Sequence, residues 1–134
     1  MSVTRILGLT LLLAAAPLPA KAPGLTIPTG ESWVFSIQGG QPVRARKVDP
    51  SVRLGRGQVL VTVRSMLGTT MTISSNNPES YTYNAELIGA GKTGPSRACT
   101  LPADRRVSFE HWPQKADAVR VSEFLPAPAG GNCP

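Results

Sequence analysis

His111 is the single histidine of the chain, and in VSFEHWPQKADAVRVSEF (residues 107–124) it sits between Glu110 and Trp112, with Asp117 six positions on. An imidazole beside a carboxylate is the nucleus of general acid–base chemistry. With an activated serine it would complete a Ser-His-acid triad, for which His111 is the only available base and Asp104 or Asp117 the candidate acid. No serine stands in the G-x-S-x-G context that exposes a nucleophile on a strand-to-helix turn. One histidine also gives no H-E-x-x-H or H-x-H spacing, and a catalytic metal normally takes three protein ligands. Paired-carboxylate glycoside hydrolysis would need two of the eight acids to converge across a cleft, for which a small domain has little room. The residue types therefore assign no catalytic, cofactor-binding or metal-ligating role. A small secreted hydrolase using His111 with a nearby carboxylate stands as the alternative.

Three further stretches carry recognisable chemistry. LIGAGKTGPS (residues 87–96) contains Gly-Lys-Thr, but a phosphate-binding loop needs a glycine five positions before Gly91, where Glu86 stands. It also needs a helix after the threonine, and Gly94-Pro95 interrupts the chain there; the segment reads as a flexible loop between strands. Its span, residues 89–98, would suit an inhibitor of another secreted enzyme if it were rigid. RARKVDPSVRLGR (residues 44–56) sets Arg44, Arg46, Lys47, Arg53 and Arg56 against Asp49 alone. With a turn at Asp49-Pro50, two basic segments would lie side by side on an outer sheet face and attract anionic envelope polymers. Nucleic acid is not expected there, because stacking aromatics are missing from the segment. Cys99 and Cys133 are the two cysteines. In an oxidising compartment such a pair forms a disulfide, which would fasten the Pro/Gly-rich tail 125–134 and add roughly 3–4 kcal/mol in the chain-entropy model.

The elements that must position these residues have a period of two. Trp33, Phe35 and Ile37 share a face in ESWVFSIQ, and in QPVRARKV the residues Val43 and Ala45 oppose Arg44 and Arg46. In QVLVTVRSM, Val59, Val61 and Val63 lie together, with Leu60, Thr62 and Arg64 opposite. TMTIS sets Met71 and Ile73 against Thr70, Thr72 and Ser74. YTYNAELI aligns Tyr81, Tyr83, Ala85 and Leu87. VSFEH places Val107, Phe109 and His111 on one face, expected to be the inward one, and AVRVSEF does the same with Val119 and Val121. Turn residues separate the runs, from Gly39-Gly40 and Asp49-Pro50 to Asn76-Asn77-Pro78 and Trp112-Pro113. Thirteen prolines and the lack of a helical apolar stripe argue against long helices. About seven short strands predict an all-β fold, a single antiparallel β-sandwich. VLVTVRSMLGTTMTISSNNPESYTYNAELI resembles the bacterial immunoglobulin-like modules in its succession of strand, hairpin, strand, Asn-rich turn and Tyr-bearing strand. That resemblance implies an immunoglobulin-like arrangement, although the Cys…Trp…Cys spacing of antibody domains is absent and no site residue carries over from it.

The ends of the chain indicate where such a domain works. Residues 1–22 have the layout of a secretory signal peptide: a cationic start at Arg5, the eleven residues ILGLTLLLAAA (6–16), then small residues and prolines. That core is too short to span a bilayer, and the cut is expected between residues 20 and 24. Residues 23–134 then form one β-domain, of a size that buries a single core. Without Arg5 and Lys21, twelve basic residues face eight acidic ones, a net charge of +4. The expectation is a periplasmic or secreted β-domain with no membrane span after cleavage. Its role would be non-catalytic binding or structural, in the bacterial cell envelope. Its partner would be an envelope protein or an anionic polymer, met through a sheet edge or an end loop.

Overall fold

The computed structural model describes residues 24–91 and 96–127, with residues 96–100 in their backbone only. The expected signal peptide, residues 1–22, together with Lys92 to Pro95, the Cys99 side chain and Cys133, lies outside the described residues, and with them the expected disulfide. Nine strands follow in order: β1 (Leu25–Pro28), β2 (Ser32–Gln38), β3 (Gln41–Val48), β4 (Gln58–Ser65), β5 (Thr69–Ser75), β6 (Tyr81–Ile88), β7 (Ser96–Leu101), β8 (Val107–Trp112) and β9 (Ala118–Pro126). The seven runs of alternating residues are β2, β3, β4, β5, β6, β8 and β9. The two added strands, LTIP and SRACTL, are short and lack a clear apolar alternation. Among the described residues no helix is long and apolar enough to cross a membrane.

The strands form two antiparallel sheets, one ordered β1-β9-β6-β7 and the other β3-β2-β4-β5-β8. This is a β-sandwich, but its strand orders are not those of the immunoglobulin constant-type domain. There the first, second, fifth and fourth strands share one sheet and the remaining three the other; the likeness stops at two packed antiparallel sheets. Alternation puts Val59, Val61 and Val63 on the inner face, and all three are fully buried with Phe35, Met71 and Ile73. The opposing sheet contributes Ile27, Tyr83, Ala85, Leu87, Val119 and Val121. Full burial of each such aliphatic or aromatic side chain contributes roughly 1.5–3 kcal/mol.

Bulges adjust the pattern where strict alternation would misplace a large side chain. In β9 the register against β6 shifts opposite Tyr83, where Glu123 takes φ 54°. The shift brings Phe124 into the core, stacked on Tyr83 at 5.4 Å between ring centroids and tilted against Phe35 at 5.5 Å. In β3 the register shifts opposite Phe35, and Arg44 takes φ 53°. Val43 then opposes Ser36 while Arg46 opposes Val34, so the expected pairing of Arg44 with Arg46 on one face is broken by one residue of parity.

One connection defines the outer surface of the five-stranded sheet. β3 and β4 flank β2 and are both antiparallel to it, so they run parallel to each other and cannot be joined by a hairpin. β3 ends with Val48 opposite Ser32, whereas β4 begins with Gln58 opposite Ser36. Residues 49–57 must therefore return about 13 Å along the sheet. They start in an Asx turn, with Ser51 N and Oγ donating to Asp49 Oδ1 and Val52 N to Asp49 O. They finish tied to the β5–β6 turn, where Asn76 Nδ2 donates to Leu54 O and Gly57 N to Asn76 O. This segment crosses the outer face of β2, which explains why outward-pointing Val34 is only 1% exposed and Ser32 is buried.

Candidate functional site

The part of the outer face that the crossover leaves open is a trough of about 410 Å³. Its floor is supplied by alternate residues of two neighbouring strands, Leu60, Thr62 and Arg64 of β4 and Thr70, Thr72 and Ser74 of β5. Pro50 of the crossover forms one wall, Val107 and Phe109 of β8 the other, and Met66 closes an end. Ladder geometry sets these positions: Thr62 is opposite Thr72, which is opposite Phe109, and Ser74 is opposite Val107.

Threonine and serine in a row on a β face present hydroxyls that both donate and accept. Two are engaged: Thr62 Oγ1 is hydrogen-bonded to the buried Ser32 Oγ at 2.7 Å, and Thr70 Oγ1 to His111 Nδ1 at 3.0 Å. Among the described residues no carboxylate lines the trough, and Arg64 forms no ion pair there. Phe109 is 71% exposed and Val107 58%, although singly exposed apolar residues are ordinary and grouped ones are not.

Here the expectation for β8 fails. Val107, Phe109 and His111 do share a face, but it is the outer one; Ser108, Glu110 and Trp112 take the inner side, opposite Ile73, Met71 and Thr69. The hexapeptide VSFEHW has a large aromatic in each parity set, and Trp112 is the one packed against the core. As the last strand of its sheet, β8 covers the rim of the core, which lets two apolar residues turn outward at low cost. Burial pushes the half-buried Glu110 carboxyl above its ordinary 4.5. Tyr83, whose hydroxyl is buried with no hydrogen-bond partner among the described residues, is raised by its own burial and secondarily by the Glu110 charge.

The candidate catalytic groups do not converge. His111 is exposed and its hydrogen-bonding partner is Thr70. Asp104 lies in the turn before β8, with Asp104 N donating to Asn77 O, at the end of the strand remote from His111. Asp117 belongs to the β8–β9 connection, where its N–H donates to Ile88 O and its carboxylate faces Gly89. Among the described residues no group of three or more His, Cys, Asp or Glu side chains is placed to hold a metal ion.

The basic segment is dispersed by the fold. Arg44 is exposed at the bulge of β3, and Arg46 points outward beside Val34. Lys47 opposes Trp33 on the inner parity and lies 3.8 Å from the Glu31 carboxylate. Arg53 is exposed on the crossover, and Arg56 lines a separate polar cleft with Asn76, Asn77, Pro78 and Asp104. The cation at the trough is Arg64 instead, which alternation sets on the face opposite the core valines.

No protein-family model, curated protein or solved structure matches this chain. The contrast between its two outer faces therefore carries the functional argument. Among the described residues, the outer face of the four-stranded sheet pairs its polar side chains with one another, Arg120 with Glu86 and Asn84 with Glu123, beside the part-exposed Leu125. The outer face of the five-stranded sheet combines exposed Phe109 and Val107, a row of hydroxyls and Arg64.

Proposed function

We propose that the protein is an exported, non-catalytic binding domain of the bacterial cell envelope, taking its ligand on the outer face of the five-stranded sheet. The observation that carries this reading is the trough between Pro50 and Phe109. It groups exposed aromatic, aliphatic and guanidinium side chains without a carboxylate, the composition favoured at interfaces over ordinary surface. Export is supported by residues 1–22, whose layout is that of a signal peptide. His111 would act as a rim residue of this face, holding Thr70, rather than as a base.

The experiment is site-specific photo-crosslinking in the native envelope. A benzoyl-phenylalanine at position 109 should give a discrete adduct, and the same group at Thr26, on the outer face of the other sheet, should not. Equal labelling from both positions, or none from position 109, would remove the proposal. His111→Ala should fold and keep the adduct; loss of function in a folded, still cross-linking variant would return the hydrolase reading.

A further inference from the structure

The sandwich has four edge strands, and they are not equally open. β1 has four residues and ends at Pro28, β3 carries Pro42 and the bulge at Arg44, and β7 shifts register against β6. Shortness, proline and bulges are the ordinary ways of blunting an edge. β8 differs: its six residues keep unbroken register with β5, and among the described residues no strand pairs with its other side. Alternate backbone N–H and C=O groups from Val107 to Trp112 thus point away from the sheet, next to the trough wall.

We infer that a protein partner binds by adding an extended, acidic-flanked peptide segment to the free edge of β8, as a sixth strand, with its outward side chains against Val107 and Phe109. This rests on the reading of the outer face as the binding surface and names its occupant. Main-chain hydrogen bonds along the edge supply affinity in such strand addition, and alternate side chains supply specificity. The charge argument comes from the strand ends. Arg105 and Arg106 precede β8 and Lys115 follows it, all exposed. Asp104, the acid nearest the first pair, faces the polar cleft with Arg56. Acidic residues flanking an apolar strand would meet cations at both ends. Glu110, on the inner side, selects further: an added strand buries it more deeply, so the residue opposite it must donate a hydrogen bond. A second copy of β8 suits this edge less well: antiparallel pairing about Glu110 sets two carboxylates together, and pairing about Phe109, although it offers the Ser108 hydroxyl to Glu110, brings Arg105 and Arg106 of one copy towards Lys115 of the other.

The test uses the full-length exported protein and a fluorescein-labelled peptide of sequence Glu-Glu-Val-Thr-Val-Thr-Val-Glu-Glu, read by anisotropy. Saturable binding is expected, weakened by about tenfold or more when Lys replaces the acidic ends or in Phe109→Ser. Two N-methylated peptides decide the mode, each blocking the amides of one edge. One should lose binding and the other keep it, because only one edge of the added strand meets β8. Equal binding of both, or indifference to charge reversal, overturns strand addition. Phe109-dependent dimerisation in sedimentation, at concentrations where the peptide does not bind, overturns it in favour of a second copy. If the peptide fails while cross-linking from position 109 persists, the occupant is wrong and the face stands; if both fail, both readings fall.

Discussion

Thr69 is a buried hydroxyl with both of its capacities used: Oγ1 donates to Gln114 O at 2.8 Å and accepts from Ala116 N at 3.0 Å. It thereby fixes the connection from β8 to β9, and Thr69→Val should cost about 1–3 kcal/mol, because the buried Ala116 N–H and the part-buried Gln114 carbonyl lose their partner. Tyr83 is the opposite case, a buried hydroxyl without a partner among the described residues. Tyr83→Phe should leave stability unchanged or raise it by up to about 1 kcal/mol in denaturant unfolding. A loss of that size would instead mean that the hydroxyl is satisfied. For Glu110 the sign follows from burial. Its carboxyl is raised above 4.5, so the folded chain holds that proton more tightly than the unfolded chain. Its contribution favours folding below the ordinary value and is withdrawn as pH rises through the raised one. Glu110→Gln should therefore raise Tm near neutral pH and flatten the fall in stability above pH 4.5; an unchanged slope would contradict the assignment. At this scale the inward valines and tyrosines were legible in the sequence, because one parity set of each of their strands is far more apolar than the other. Phe109 was not, because VSFEHW has an aromatic in each set and only the packing of Trp112 chooses between them.

The hairpin from β4 to β5 shows how an element places the site. Leu67 takes φ 49° and Gly68 φ 118°, and a Cβ on Gly68 would stand 2.2 Å from Trp112 O. Gly68 thus lets this turn abut the end of β8, aligning Thr70 with His111 and Thr72 with Phe109. Gly68→Ala should destabilise by about 1–3 kcal/mol from the backbone conformation alone, and by more if Trp112 and Pro113 cannot move. Chemical denaturation would measure the cost, and amide exchange should show β8 loosening before β4. Seven of the nine strands were legible from alternation and turn residues. The crossover 49–57 was not, since nothing in DPSVRLGRG states that β3 and β4 flank β2; that is a property of sheet order. Its Asp49-Pro50 turn was read correctly, but the turn opens a return path rather than a hairpin, so the basic residues on either side do not meet.

For the whole molecule, the two outer faces differ in chemistry. Among the described residues, one pairs polar side chains such as Arg120 and Glu86, and the other bears the trough and the proline-free, unbulged edge of β8. Among the described residues the cations are spread rather than gathered, so net charge alone does not identify a docking point. Arg64→Ser should accordingly weaken ligand retention more than Arg44→Ser or Arg53→Ser, a ranking readable from elution salt on an immobilised ligand. The central claim is that ligand binds the outer face of the five-stranded sheet. Its most direct test is photo-crosslinking from position 109 in the native envelope, with Thr26 on the opposite face as the control position. A discrete adduct from 109 and none from 26 is the predicted result; equal labelling from the two faces, or none from 109, would contradict it.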